Sequence, residues 1–414
     1  MPATLCFVTP GHIASNPRLV KEASAASEAG YDVHIVFCQY LERLISDDEA
    51  LVDKHSGWSV TRVRYTTGSI ATTYTRVLSG VRQRIARWLF DYGIQAWYRN
   101  AHGRVHRELY QASRQIRADL YIAHNLAALP AAAKAAENRQ ARLGFDAEDY
   151  HRGELPSRPE YEEERRLIAH VEEEYIPRCD YVTAASDGIA EAYAEVLDIE
   201  RPQTILNVFP WSQREVDVPP ETLRSEVPDG RRSMYWFSQT IGPDRGLEDA
   251  LHALPHLPQD VILSLRGKWS PGYEETFRGR AKNLGVADRI HHLDLVPPNE
   301  LIPRTAEHDV GLALEHPSVS TNRAICLTNK LFTYLVAGIP FVATDTPGQR
   351  PIIDDLPEVA ESYQPGQVKE FAAAASKLIG AEGVREQALH AARERYCWEV
   401  EKIAFLEVVH QTVC

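Results

Sequence analysis

At 414 residues the chain is too long for one ordinary domain, and two or three are expected. Its 44% hydrophobic and 25% charged residues give the balance of a soluble globular protein. The net charge of −13 argues against a general nucleic-acid binder, and no apolar run reaches the roughly 18 residues of a membrane span.

Residues 4–9 enter a strand at once, without the basic segment and apolar core of a signal peptide. The expected location is cytoplasmic. The cysteines agree with a reducing compartment: Cys6, Cys38, Cys179, Cys326, Cys397 and Cys414 are scattered and form no Cys-x-x-Cys pair. Cys6 and Cys38 lie in apolar runs and read as core thiols.

Strand and helix patterns alternate along the chain. After 4–9, residues 18–29 read as a helix stopped by Gly30, and 33–38 as a second strand. Further strands are predicted over 120–123, 143–146, 181–184 and 204–206. Residues 210–232 break the rhythm: Pro219-Pro220, many charges and little periodicity read as a linker. The alternation restarts over 233–237, 261–266, 290–293, 310–314 and 341–344, and the tail from Gln367 reads as helical. This pattern predicts an α/β class with two doubly wound, Rossmann-like domains whose strand ends face an interdomain cleft. The expected boundaries are 1–209, a linker at 210–232, and 233–395, with a helix at about 396–414 closing the first domain.

Several stretches carry chemistry. TPGHIASNPRLVKEA, residues 9–23, is a strand end, a glycine loop, and Asn16 placed to cap a helix that starts at Pro17. Its spacing is not Gly-x-Gly-x-x-Gly, so a nicotinamide site is poorly supported. Residues 75–107 hold seven arginines and one acid, Asp91, among Trp88, Phe90, Tyr92, Trp97 and Tyr98. A basic aromatic helix suits an anionic bilayer, an acceptor pocket, a subunit interface or plain core packing. In LYIAHNLAALPAA, residues 120–132, His124 ends a strand. FDAEDYHRGEL, residues 145–155, crowds Asp146, Glu148 and Asp149 after another strand, where they suit a base, a metal, or helix caps paired with arginines.

In the second half, FSQTIGPDRGLEDAL, residues 237–251, turns through Gly242-Pro243 and is expected to enter a helix near Asp244, beside Arg245. Lys268 stands in LRGKW. LTNKLFTYLVAGIPFVATDTPG, residues 327–348, reads as a helix capped by Thr328. Leu331, Phe332, Leu335 and Val336 form its apolar face, and Gly338 and Pro340 stop it. A helix N-terminus with Lys330 beside it is a corner suited to phosphate.

The order Asn-Lys-Leu-Phe-x-Tyr-Leu-x-Ala-Gly-x-Pro-x-Val-Ala-Thr-Asp in that stretch resembles the donor-site signature of GT-B glycosyltransferases of retaining family 4. The resemblance implies transfer of a sugar from a nucleoside-diphosphate donor (UDP, GDP or TDP) to an acceptor hydroxyl, without a metal. It implies donor contacts from Gly11, Arg245, Lys268, Asn329, Lys330 and Thr333. His124, Arg245 and Lys330 take catalytic roles, and His12, Asn16, Arg18, Asp146 and Glu148 face a saccharide, lipid-linked or small-molecule acceptor. Peripheral contact with the inner membrane face through 75–107 fits such an acceptor.

The chain also departs from the family pattern. Threonine at 333 and isoleucine at 325 stand where the family carries glutamates, Gln239 replaces a basic residue, and Glu148 replaces a histidine. The absent glutamates at 333 and 325 keep a non-catalytic partner subunit open; a sugar phosphorylase or a nucleotide-sugar epimerase is a further alternative.

Overall fold

The computed structural model describes residues 2–214 and 225–414; ten residues of the expected linker, 215–224, lie outside them. The chain divides into two compact units, Met1–Ile205 with Lys402–Cys414, and Leu206–Glu401. Each is built on one wholly parallel sheet.

The first unit holds β1 (Thr4–Val8), β2 (Asp32–Gln39), β3 (Trp58–Arg64), β4 (Leu120–His124), β5 (Arg142–Ala147), β6 (Tyr181–Ala184) and β7 (Gln203–Thr204). Their order is β3-β2-β1-β4-β5-β6-β7. The second unit holds β8 (Arg232–Ile241), β9 (Val261–Trp269), β10 (Ile290–Leu293), β11 (Val310–Ala313), β12 (Phe341–Thr344) and β13 (Ala360–Tyr363), in the order β10-β9-β8-β11-β12-β13. The central strands are continuous apolar runs because helices cover both faces. Leu5, Cys6, Phe7 and Val8 are fully buried, and burial pushes the Cys6 and Cys38 thiols up. Each order reverses once, at β1/β4 and at β8/β11. Loops that leave the carboxyl ends of such strand pairs form a crevice, the usual ligand position of doubly wound sheets.

Two strands escape the sequence pattern, β3 and β13. Both flank their sheets, and WSVTRVR and AESY lack a continuous apolar run because edge positions are only partly covered. Among the described residues, no helix is long and apolar enough to cross a membrane.

One close approach seats the helix that carries Lys330. Gly311 lies in β11, and a Cβ there would fall 2.3 Å from the Tyr334 ring. The missing side chain lets the helix Asn329–Ala337 settle on the sheet, where Tyr334 Oη donates to the Leu312 carbonyl at 2.9 Å.

Candidate functional site

The second unit gathers cations at its switch point. After β8 the chain turns through residues 242–246, and the helix Leu247–Ala253 begins only at Leu247, with Gly246 as its N-cap. The expected helix entry near Asp244 is therefore corrected. Asp244 sits at φ 60° and Gly246 at φ 72°, and two left-handed residues this close keep the chain in a turn. A Cβ at Gly246 would also lie 2.9 Å from the Leu314 Cβ. Arg245 thus projects from a tight turn and forms no hydrogen bond or ion pair with another described residue.

Arg323 faces it from the helix Thr321–Ile325, which Ser320 caps. An Arg323 Nη1–H donates to the Asp244 carbonyl and pins the strained turn. Lys330 approaches from the next helix. Its Nζ lies 3.4 Å from Thr328 Oγ1, 3.7 Å from Glu315 Oε1 and 5.5 Å from the centre of the buried Trp236 ring. Burial pushes the Lys330 amine down, Glu315 opposes that shift and Arg245 adds to it. Burial and the neighbouring Arg323 push the Arg245 guanidinium down as well. Three cations therefore share a pocket of charge with two carboxylates, Glu315 and Asp244. Like charges held this close raise each other's energy, and a bound dianion relieves the repulsion.

The remaining donor-side residues are placed differently. Thr328 occupies the N-cap position, but its side chain makes no cap hydrogen bond; its hydroxyl is turned to Lys330 instead, which corrects the expected cap. Asn329 is exposed at the first helical position. Thr333 is fully buried, and its hydroxyl donates to the Asn329 carbonyl at 3.1 Å, inside its own helix. Lys268 is exposed and unpaired among the described residues.

Backbone contacts help to hold the Arg323 segment. Gly348 N–H donates to the Ala324 carbonyl at 3.0 Å, and a Cβ at Gly348 would lie 2.3 Å from the Cys326 oxygen and 2.5 Å from the Ile325 oxygen. Neither carbonyl can move without shifting the chain. Gly348→Ala is expected to destabilise the protein by roughly 1–3 kcal/mol, measured by urea unfolding.

In the first unit the switch point is neutral and closed. Arg18, on the helix Pro17–Glu28, donates two hydrogen bonds to Asp146 at 2.7 Å and one to the Ile205 carbonyl at 2.7 Å. Asp146 also accepts from Thr183 Oγ1 at 2.8 Å. Glu22 lies one helical turn from Arg18, with Oε1 3.4 Å from the Arg18 Nε. His124, the last residue of β4, stands between the acids: its Nε2 is 3.2 Å from Glu22 and its Nδ1 is 3.3 Å from Asp146. All four side chains are at most 1% exposed. Two cations meet two carboxylates, so the buried charge is balanced.

Glu22, His124 and Asp146 offer ligand atoms within 4.8 Å of one another. Arg18 already bonds both oxygens of Asp146, so a divalent ion there would face a cation, and the set fits a metal poorly.

Glu22 and Asp146 hold His124 protonated and push its value up to about 10 despite burial, which opposes the shift. This value lies above the ordinary 6.5, so the stabilisation is complete below about pH 6.5 and is lost as pH rises through about 10. The stability gap between wild type and His124→Gln is therefore expected to narrow across that window. Urea unfolding at several pH values checks it; a constant gap contradicts a charged His124.

Beside this network, burial pushes the Glu148 carboxyl up to about 7, with Asp146 adding to the shift. Burial and Arg18 push the Lys21 amine down to about 7. His12 has another task. Its Nε2 accepts from the Tyr40 and Leu41 N–H groups at 3.0 and 2.9 Å, so its proton sits on Nδ1, 2.6 Å from Asp48. It is fully buried and ties the glycine loop to residues 40–41. Asn16 caps the helix by accepting from Leu19 N–H at 3.0 Å, as its place before Pro17 implies. At Gly11 an added Cβ would come no closer than 3.9 Å to Ser15 Oγ, so space remains in front of this backbone.

Sequence reasoning singled out neither Arg323 and Glu315 nor Glu22, Asp48 and Thr183. The Arg18-x-x-x-Glu22 spacing was a usable signal, because it places both residues on one helix face.

No protein-family model and no curated protein sequence matches the chain. Solved structures do. Anabaena HepE, in complex with UDP and glucose, superposes with a TM-score of 0.69 at 15% identity, covering 99% of this chain and 100% of that one. The chain has the GT-B fold. A glycosyltransferase of Rickettsia africae shares this GT-B architecture, with a TM-score of 0.65 at 13% identity, covering 100% of this chain and 99% of that one. Sucrose-phosphate synthase from Thermosynechococcus elongatus gives 0.65 at 14%, covering 99% and 98%.

Proposed function

We propose that this GT-B chain is a glycosyltransferase that moves a sugar from a nucleoside-diphosphate donor to an acceptor hydroxyl, with retention of anomeric configuration and without a metal, in the manner of family 4. The observation that carries this reading is Arg245, unpaired among the described residues, beside Arg323 and Lys330 at the β8/β11 switch point. When the bond between sugar and phosphate breaks, negative charge grows on the diphosphate. Fixed cations at that place lower the barrier more than they stabilise the bound donor.

Arg323 stands in for the basic residue that Gln239 does not supply. Asn329 and the first N–H groups of its helix bind the diphosphate with Lys330. Lys268 and the Gly11 backbone are proposed as further donor contacts. Thr333 acts through its helix, since its hydroxyl is spent on Asn329.

The first unit takes the acceptor. Glu148, with its carboxyl near neutrality, can donate or accept a hydrogen bond to the incoming hydroxyl. Arg18, Asp146 and His124 fix the floor beneath it, and His12 and Asn16 fix the loop. The leaving phosphate takes the acceptor proton, so no protein nucleophile is required. UDP is the first donor to test, because HepE was solved with UDP and with UDP-glucose. We also propose a cytoplasmic location with peripheral contact to an anionic membrane through 75–107.

Release of UDP from UDP-glucose is the test, run against saccharide, lipid-linked and small-molecule acceptors. Acceptor-dependent release is expected. Nucleotide binding without release across UDP-, GDP- and TDP-sugars would instead favour a non-catalytic partner subunit. That second reading draws on the buried Thr333, which leaves no carboxylate at this position to grip a ribose.

A further inference from the structure

The helix Ile70–Asp91 is built inside out. Its start is secured by a reciprocal cap: Ser69 Oγ accepts from Thr72 N–H, and Thr72 Oγ1 accepts from Ser69 N–H, both at 3.2 Å. The face toward the unit is small and sparse, with Ser79, Ala86 and Phe90 buried. Phe90 lies under Arg166 and beside His170, and Gln83 and Arg87 donate to the Ala101 carbonyl.

The opposite face carries the large apolar residues. Ile70, Tyr74, Val77, Leu78, Val81, Ile85, Trp88 and Tyr92 recur at steps of three and four and are 39–92% exposed. Ile94 and Trp97, just beyond the helix, are exposed as well. A helix of 22 residues is about 33 Å long, so the stripe is far larger than scattered surface leucines.

We propose that this outer face lies on an anionic lipid bilayer, with the apolar stripe at the level of the headgroups and its arginine margins on lipid phosphates. This rests on the peripheral-contact reading above and narrows it to one face. Charge decides the occupant. The helix carries Arg76, Arg82, Arg84 and Arg87 against the single acid Asp91, in a chain of net charge −13; Arg82 and Arg87 are paired with Glu108 and Glu164, which leaves Arg76 and Arg84 for an outside anion. The Arg76 carbonyl accepts from Ser79 Oγ and from Arg104, but the guanidinium groups of Arg76 and Arg84 form no hydrogen bond or ion pair with another described residue, and Arg84 lies between Val81 and Trp88 on the edge of the stripe. A second copy packed on the same face would bring like charge against like, whereas an anionic headgroup layer neutralises it. Trp88, Trp97, Tyr74 and Tyr92 are the residue types that favour the bilayer interface.

Vesicle flotation tests the assignment. The vesicles are phosphatidylcholine alone, or phosphatidylcholine with about one-third phosphatidylglycerol, at low and high salt. Wild type is expected to float with the anionic vesicles and to be released by salt. Ile85→Gln with Trp88→Gln should lower the bound fraction about ten-fold, and Arg76→Glu with Arg84→Glu should erase the preference for anionic lipid. Both pairs keep good helix formers, and an unchanged thermal transition shows that the fold is retained. If wild type binds but the Gln pair binds equally, the stripe assignment falls while peripheral contact stands. If wild type does not bind, both fall. A wild-type dimer that the Gln pair turns into monomer overturns the lipid assignment in favour of a second copy.

Discussion

Lys330→Ala is expected to lower turnover by about 10²–10³-fold and to weaken nucleoside-diphosphate binding, measured by steady-state kinetics and titration. The lysine is only 12% exposed, and Glu315, 3.7 Å away, opposes the downward push of burial on its amine. A buried cation that faces one carboxylate and two guanidinium groups has little freedom to reorganise, so in the proposed reaction its field is set before the phosphate arrives. Removing it leaves Glu315 without its cation and replaces attraction for the diphosphate with repulsion. The variant should also lose about 1–3 kcal/mol of stability for that exposed imbalance. Glu315→Gln with Lys330→Ala should recover the stability without recovering the turnover, which separates the two effects.

Arg18→Met should be the most destabilising single change in the first unit, at about 3–5 kcal/mol by urea unfolding. Arg18 donates three hydrogen bonds at 2.7 Å, two to Asp146 and one to Ile205, and its removal strands two buried carboxylates against one histidine. Asp146 is held well below the usual carboxylate range, an effect that burial alone would reverse; Arg18 is the largest cause, with His124 adding to it. Its lowered value stabilises the fold above the ordinary Asp value and is lost as pH falls through the folded one. Replacing both partners, Arg18→Met with Asp146→Leu, should cost less than Arg18→Met alone, because no unpaired charge is then buried. A double variant that is worse than the single one contradicts a paired network.

These expectations show what a single sequence can carry. The central strands were legible because parallel strands buried on both faces are unbroken apolar runs, as in TLCFV and VILSL. The Lys330 helix was legible because a polar start, an apolar face and Gly338 at φ 75° are local signals. Arg323 was not legible. It is set in a segment whose Ala324, Ile325 and Cys326 carbonyls pack on the Gly348 turn, a contact more than twenty residues away in the chain. Glu315 likewise sits in an irregular stretch after β11, where no period marks it. The left-handed turn at Asp244 also misled: a charged residue after Gly-Pro looks like a helix start, and Arg323 holds it as a turn instead. At His124 and Arg18 the types were legible but their enclosure was not, since burial depends on Glu22, Thr183 and the Ile205 carbonyl arriving from separate elements.

In the proposed reaction the cations Arg245, Arg323 and Lys330 bind the diphosphate of a sugar nucleotide. Calorimetric titration of UDP, GDP and TDP, each beside its nucleoside, into wild type and Lys330→Ala tests it most directly. At least one diphosphate should bind wild type more tightly than its nucleoside does, with that advantage falling at least about ten-fold in the variant. Equal affinity for diphosphate and nucleoside, or an advantage that survives in the variant, would contradict the account.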